Sequence, residues 1–170
     1  LNAEQQRAHT LAMRNFVLSG AELQGEAKER FAAIQERHAE VSQKFSENVL
    51  DATDQWSLVV NADELAGVPD DVLQATRAAA EKDGVAGHKL NLKMPCYLPV
   101  MQFAHSSALR EKLYRAYATR ASDQSQAVQA GKTEQDNTPW IKDILTLRQE
   151  EAQLLGYANH AEVSLATKMA

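Results

Sequence analysis

Five histidines, a single cysteine and 23 acidic side chains are what this sequence offers for metal or acid–base chemistry. A catalytic zinc site on a helix needs two histidines one turn apart with a glutamate beside the first. Residues i and i+4 project the same way, and the carboxylate then reaches the metal-bound water. None of His9, His38, His88, His105 and His160 has a histidine four residues away. His160 and Glu162 are the closest histidine–acid neighbours, but positions i and i+2 diverge on a helix. That pair reads as a solvated helix start.

The remaining candidates also have plainer readings. His38 stands on an apolar seam where a leucine is expected; a ligand or proton carrier would suit the position, and a packing histidine suits it better. Cys96, in "MPCYLP", lies between prolines with no helix N-terminus or basic cluster beside it in sequence, so a small buried hydrophobe is expected rather than a reactive thiolate. "GVAG", Gly84 to Gly87, is too short to cradle a phosphate and follows a helix, which makes it a turn. Arg110, Lys112, Arg115 and Arg120 alternate with Tyr114 and Tyr117, but Glu111 interrupts them, and a solvated helix face accounts for the run. No catalytic, cofactor-binding or metal-ligating residue is assigned anywhere in the chain.

The elements that would position such groups are mainly helical. Ala8, Leu11, Ala12 and Leu18 predict a helix over residues 3–18, closed by Ser19-Gly20. Ala27, Phe31, Ile34, His38, Val41, Phe45 and Val49 recur by threes and fours and predict one long helix with a buried seam. Trp56, Leu58 and Val60, then Leu90, Leu92 and Met94, alternate and predict two short strands at about 56–60 and 89–94. Between them a helix opens at Pro69 and ends at Asp83-Gly84; a connection of this length permits either pairing direction. The strand is expected to stop at Met94 and a helix to restart near Pro99, since both prolines in one regular element would be costly. Ser-capped "SSALREKLYRAYATR", a polar surface loop over 121–139 with one weak turn of helix at most, a helix opening at Thr138-Pro139 and a terminal helix from the Asn159/Glu162 capping box complete the pattern.

At 170 residues the chain is expected to form a single helical domain, large enough to bury roughly 70% of its unfolded surface. A 44% hydrophobic and 24% charged composition argues against disorder, and no apolar run reaches bilayer length. With one cysteine and no signal segment the chain reads as cytoplasmic. A net charge of -5 argues against a nucleic-acid partner.

Several stretches carry a resemblance: "FVLSGAEL", "FSENVLDATDQWSLVV", "ELAGVP", "MPCYLPVMQFA", "YRAYATRASD" and "LLGYANHAEVSLATKMA". In this order they resemble the amino-terminal helical region of the thimet oligopeptidase and neurolysin family of zinc metallopeptidases, over nearly the whole chain. The resemblance implies a two-lobed, channel-containing peptidase fold, of which this would be the amino-terminal part. The channel admits short peptides and excludes folded proteins. Hydrolysis would proceed by water that a glutamate deprotonates, at a zinc-polarised carbonyl. In that family the H-E-x-x-H helix lies well beyond the counterpart of "SLATKMA", so no family ligand or catalytic residue maps onto this chain. The resemblance also implies leucine at position 38, serine at 96 and an aromatic residue at 160, where this chain has His38, Cys96 and His160.

Two features of the ends agree with a segment of a longer enzyme: "LNAEQQRAHTLAM" reads as a helix already under way, and Val163, Ala166 and Met169 form an apolar stripe with no stop signal after it. The expected function is a substrate-channel wall segment of a zinc-dependent oligopeptidase, without catalytic activity of its own. Its expected partners are the remainder of the parent chain and short peptides, with self-association of the segment through its uncovered apolar face. The alternative is an independent helical interaction module, docking a partner through the seam from Phe31 to Val49.

Overall fold

The computed structural model describes residues 1–169. Contacts divide the chain into two compact units, one made of residues 1–44 with the chain from Pro139 on, the other of Phe45–Thr138. The fold is mainly α, with one two-stranded sheet. No helix among the described residues is long and apolar enough to cross a membrane.

In the first unit, helix α1 spans Ala3–Leu18. It is not under way at Leu1, because Asn2 caps it: Asn2 Oδ1 accepts from Gln5 N at 2.8 Å, and Gln5 Oε1 accepts from Asn2 N at 3.0 Å. This closed capping box satisfies two of the donors a helix start leaves orphaned. Ala8 and Ala12 of the expected seam are exposed, and α1 touches its surroundings through half-buried Leu11, Val17 and Leu18. Helix α2, Gly25–Gln55, carries the long seam as the periodicity predicts, with Phe31, Ile34 and Val41 buried and His38 half-buried. Gly20 must be glycine, since at φ +79° a Cβ there would stand 2.7 Å from the Phe31 ring.

Helix α7 runs Thr138–Leu154 and buries Leu147 and Ala152. Arg30 grips Glu150 through Nε at 2.5 Å and Nη2 at 2.6 Å, a bidentate fork at the surface. The terminal helix α8 is short, His160–Leu165. Asn159 Oδ1 accepts from Glu162 N at 3.1 Å as the capping box predicts, while the Glu162 carboxylate takes Ala158 N, one residue earlier than the motif requires. The helix stops there, so Met169 lies beyond it and exposed, and the stripe of Val163, Ala166 and Met169 does not form one helical face. Ala170 lies outside the described residues.

In the second unit β1, Ser57–Val60, pairs antiparallel with β2, His88–Asn91, in the register Ser57 to Asn91 and Val60 to His88. Helix α3, Asp70–Lys82, joins them and buries Val72, Thr76 and Ala80. Helix α4 spans Met94–Phe103 and contains both prolines, against expectation. Pro95 falls in the first turn, where its missing N–H is an orphan anyway; Pro99 forfeits one interior bond. Burial of Cys96, Tyr97 and Val100 on the inner face offsets that loss. Helix α5, Ser107–Ala118, starts at the Ser106 cap, whose Oγ accepts from Leu109 N at 3.2 Å, and drives Leu109 and Leu113 into the core with Leu65, Leu90 and Leu92.

The polar stretch 121–139 is more than a surface loop. It holds the four-residue helix α6, Gln126–Gln129, and a 3-10 turn at Thr133–Gln135, and it buries Ala121, Ser125, Gln135 and Asn137. Asn137, only 2% exposed, donates from Nδ2 to Phe45 O at 3.0 Å and accepts at Oδ1 from Asn48 Nδ2 at 2.9 Å. Asn48 also donates to Glu134 O at 3.2 Å. Side chains that look solvated in sequence are there to satisfy backbone groups the segment buries.

Candidate functional site

The five histidines are not brought together into one site. His9 is exposed on α1. His88 is buried in β2, with Nδ1 3.0 Å from the Thr76 hydroxyl, which also donates to Val72 O, so it is a satisfied core histidine. His105 is exposed after α4, its backbone N–H bonded to Ala66 O at 2.8 Å. Among the described residues no group of three or more His, Cys, Asp or Glu side chains is placed to hold a metal ion. Cys96 is buried with Sγ accepting weakly from Asn91 N at 3.5 Å; burial pushes the thiol pKa up, so it is not a ready thiolate.

Two histidines do approach one another. His38 on α2 accepts at Nε2 from Arg148 Nε on α7, at 3.3 Å. Accepting there requires a neutral ring with its proton on Nδ1. His160, the first residue of α8, joins the cluster with Nδ1 enclosed and without a partner. Burial chiefly, then the Arg148 charge, holds its pKa below the ordinary 6.5; Glu151 acts the other way, and His38 and Lys168 add to the lowering. A lowered folded-state pKa contributes stability that is present above about 6.5 and is lost as pH falls through the folded value. The protection of the Val163 and Ala166 amides against exchange, corrected for the intrinsic pH dependence of exchange, should therefore fall between about pH 7.5 and about pH 5. His160→Phe should flatten that dependence, whereas a profile unchanged by the substitution would show that another group governs it.

The basic run along α5 does not form one surface. Arg110 bonds to the Ala104 and His105 carbonyls, and Arg115 pairs with Glu111 at 2.9 Å. Arg120 turns inward over Tyr117, its guanidinium carbon 3.6 Å from the ring centroid. Tyr117 in turn stacks on Tyr97, with centroids 4.3 Å apart and planes 17° from parallel. Neither this stack nor the His38–Arg148–His160 cluster was legible in the sequence. The Arg148 contact spans 110 positions, and nothing local marks it. "GVAG" is a turn, as expected, with Gly84 at φ +70° and Gly87 at φ +101°.

The family model for peptidase family M3 matches residues 100–170. Over its whole length the chain is similar to the amino-terminal part of oligopeptidase A. It is 48% identical over 171 residues to oligopeptidase A of Salmonella typhimurium and equally to that of Escherichia coli, covering 100% of this chain and 25% of each relative. To the probable cytosolic oligopeptidase A of Arabidopsis thaliana it is 42% identical over 178 residues, covering 100% of this chain and 24% of that one. The chain thus spans about a quarter of the length of the curated relatives it matches.

Proposed function

We propose that this chain is the amino-terminal, non-catalytic wall segment of the substrate channel in a zinc-dependent oligopeptidase that hydrolyses short peptides in the cytoplasm. The observation that carries the reading is 48% identity, over the whole chain, to the amino-terminal quarter of oligopeptidase A, in a chain whose described residues hold no metal-binding group. Those residues do not fit a zinc ion, so no step of hydrolysis is assigned to them; their part is to shape and bound the space in which a peptide lies. A rigid wall selects by size because an unfolded short peptide enters a narrow channel and a folded domain does not. The cytoplasmic assignment draws on the Arabidopsis relative's name. The partners are the remaining three quarters of the peptidase chain and its peptide substrates. Exposed Ile141 and Leu145, one turn apart on α7, are the kind of surface such a remainder covers, and a route to self-association without it.

The seam from Phe31 to Val49 is not available as the docking face of an independent module. Phe31, Ile34 and Val41 are buried, with Ile34 at 0% exposure. The function is tested on the chain itself by calorimetric titration with zinc and by a quenched fluorescent peptide assay on chelator-treated protein. The expected result is neither one-to-one zinc binding nor turnover. Micromolar stoichiometric binding, or chelator-sensitive cleavage, would overturn the wall-segment reading.

A further inference from the structure

The second unit contains a cavity of about 120 Å³ whose lining includes Trp56, Leu92, Ala116, Arg120 and Lys132. Arg120 is held on two edges and one face. Its Nε donates to Tyr117 O and its Nη1 to Thr53 Oγ1, both at 2.9 Å, while the guanidinium lies over the Tyr117 ring. That leaves Nη2 with no hydrogen bond to the described residues. Lys132 is aimed in the same way: Nζ donates to Gln55 Oε1 at 3.0 Å, an oxygen also held at 2.9 Å by Gln135, which is only 6% exposed. Two further ammonium protons remain on Lys132.

Among the described residues five basic side chains, Arg30, Arg37, Lys89, Lys93 and Arg115, have carboxylate partners. Arg120 and Lys132 have none among the described residues. A pre-organised guanidinium fork with unused donors, backed by an ammonium and walled by apolar groups that lower the local dielectric, matches a carboxylate. The volume suits a carboxyl group with a small side chain and is too small for a nucleotide.

We propose that this cavity is a carboxylate-binding site that takes the carboxyl end or an acidic side chain of a short peptide, with Arg120 Nη2 and Lys132 Nζ as donors and Trp56 as the apolar wall. The peptide part rests on the proposed function; the carboxylate part does not. Trp56 supplies the signal once Trp140, the other tryptophan, is replaced by phenylalanine. Propionate should change its fluorescence saturably, and propionamide, isosteric but neutral, should bind about tenfold more weakly or worse. Arg120→Gln should weaken propionate by about tenfold or more, and Lys132→Gln, at an exposed position where folding is not at stake, by about threefold or more. Equal binding of the amide, or unchanged binding in Lys132→Gln and Arg120→Gln, would overturn the site. Acetyl-Ala-Ala, its amide and acetyl-Ala-Glu-amide separate the two sources: the first alone binding identifies a chain end, the third an acidic side chain. Propionate binding with neither peptide would overturn the peptide assignment while leaving the peptidase reading to its own assay.

Discussion

Asn137→Ala should lower the stability of the second unit by about 2–4 kcal/mol, although the residue lies in a stretch that looks like solvated loop. The substitution removes the Oδ1 that accepts from Asn48 Nδ2 at 2.9 Å and the Nδ2 that donates to Phe45 O at 3.0 Å. Asn48 is itself only 3% exposed, so its amide loses a partner where water does not readily replace it. The same segment holds Ala121 in the left-handed region at φ 49°, a conformation that costs a non-glycine residue about 1–2 kcal/mol and persists only where its surroundings impose it. Ala121 O accepts from Asn137 N at 3.0 Å, which ties the strained residue to the anchor. Urea unfolding followed at Trp56 measures the effect. A change below about 0.5 kcal/mol would mean that the loop is solvated and that its hydrogen bonds exchange freely with water.

Gly67→Ala should be at least as damaging, at about 3 kcal/mol or more. Gly67 sits at φ +93°, and a Cβ there would overlap the Phe103 carbonyl oxygen and lie 2.6 Å from two atoms of the His105 ring. The backbone cannot retreat easily, because His105 N is bonded to Ala66 O at 2.8 Å next door. Gly84→Ala provides the contrast. Its φ is +70°, but nothing stands within 4 Å of an added Cβ, so only the conformational cost of about 1–2 kcal/mol applies. Equal destabilisation at the two positions in thermal melts would show that the close approach of the turn to the end of α4 has no energetic weight.

What the sequence made legible was whatever rests on local periodicity. The seam of α2, the Ser106 and Asn159 caps, the alternation in β1 and β2 and the turn at Asp83-Gly84 all follow from residues within a few positions of one another. Where tertiary contact overrides local rules, the reading fell short. Pro99 lies inside α4 because Tyr97 and Val100 bury the face it interrupts, and the 121–139 stretch is ordered by Asn48, a polar residue hidden on the apolar side of a long helix. The pattern shows where apolar side chains must go, but it does not show which amide closes on a backbone carbonyl some 90 positions away. The same holds for chemistry. The missing zinc motif was visible at once, whereas the Arg120 cavity and the His38–Arg148–His160 cluster exist only after folding.

The central claim, that this chain supplies the amino-terminal wall of an oligopeptidase channel, is tested most directly by substitution into a relative. The chain would replace the matching quarter of Escherichia coli oligopeptidase A, and zinc-loaded chimera, parent and parent lacking that quarter would be assayed on a quenched fluorescent peptide. The truncated parent should be inactive and the chimera should recover chelator-sensitive hydrolysis to within about tenfold of the parent, since the wall is restored and the chemistry is untouched. A chimera that folds and binds zinc but cleaves no peptide, or a truncated parent as active as the whole, would contradict it.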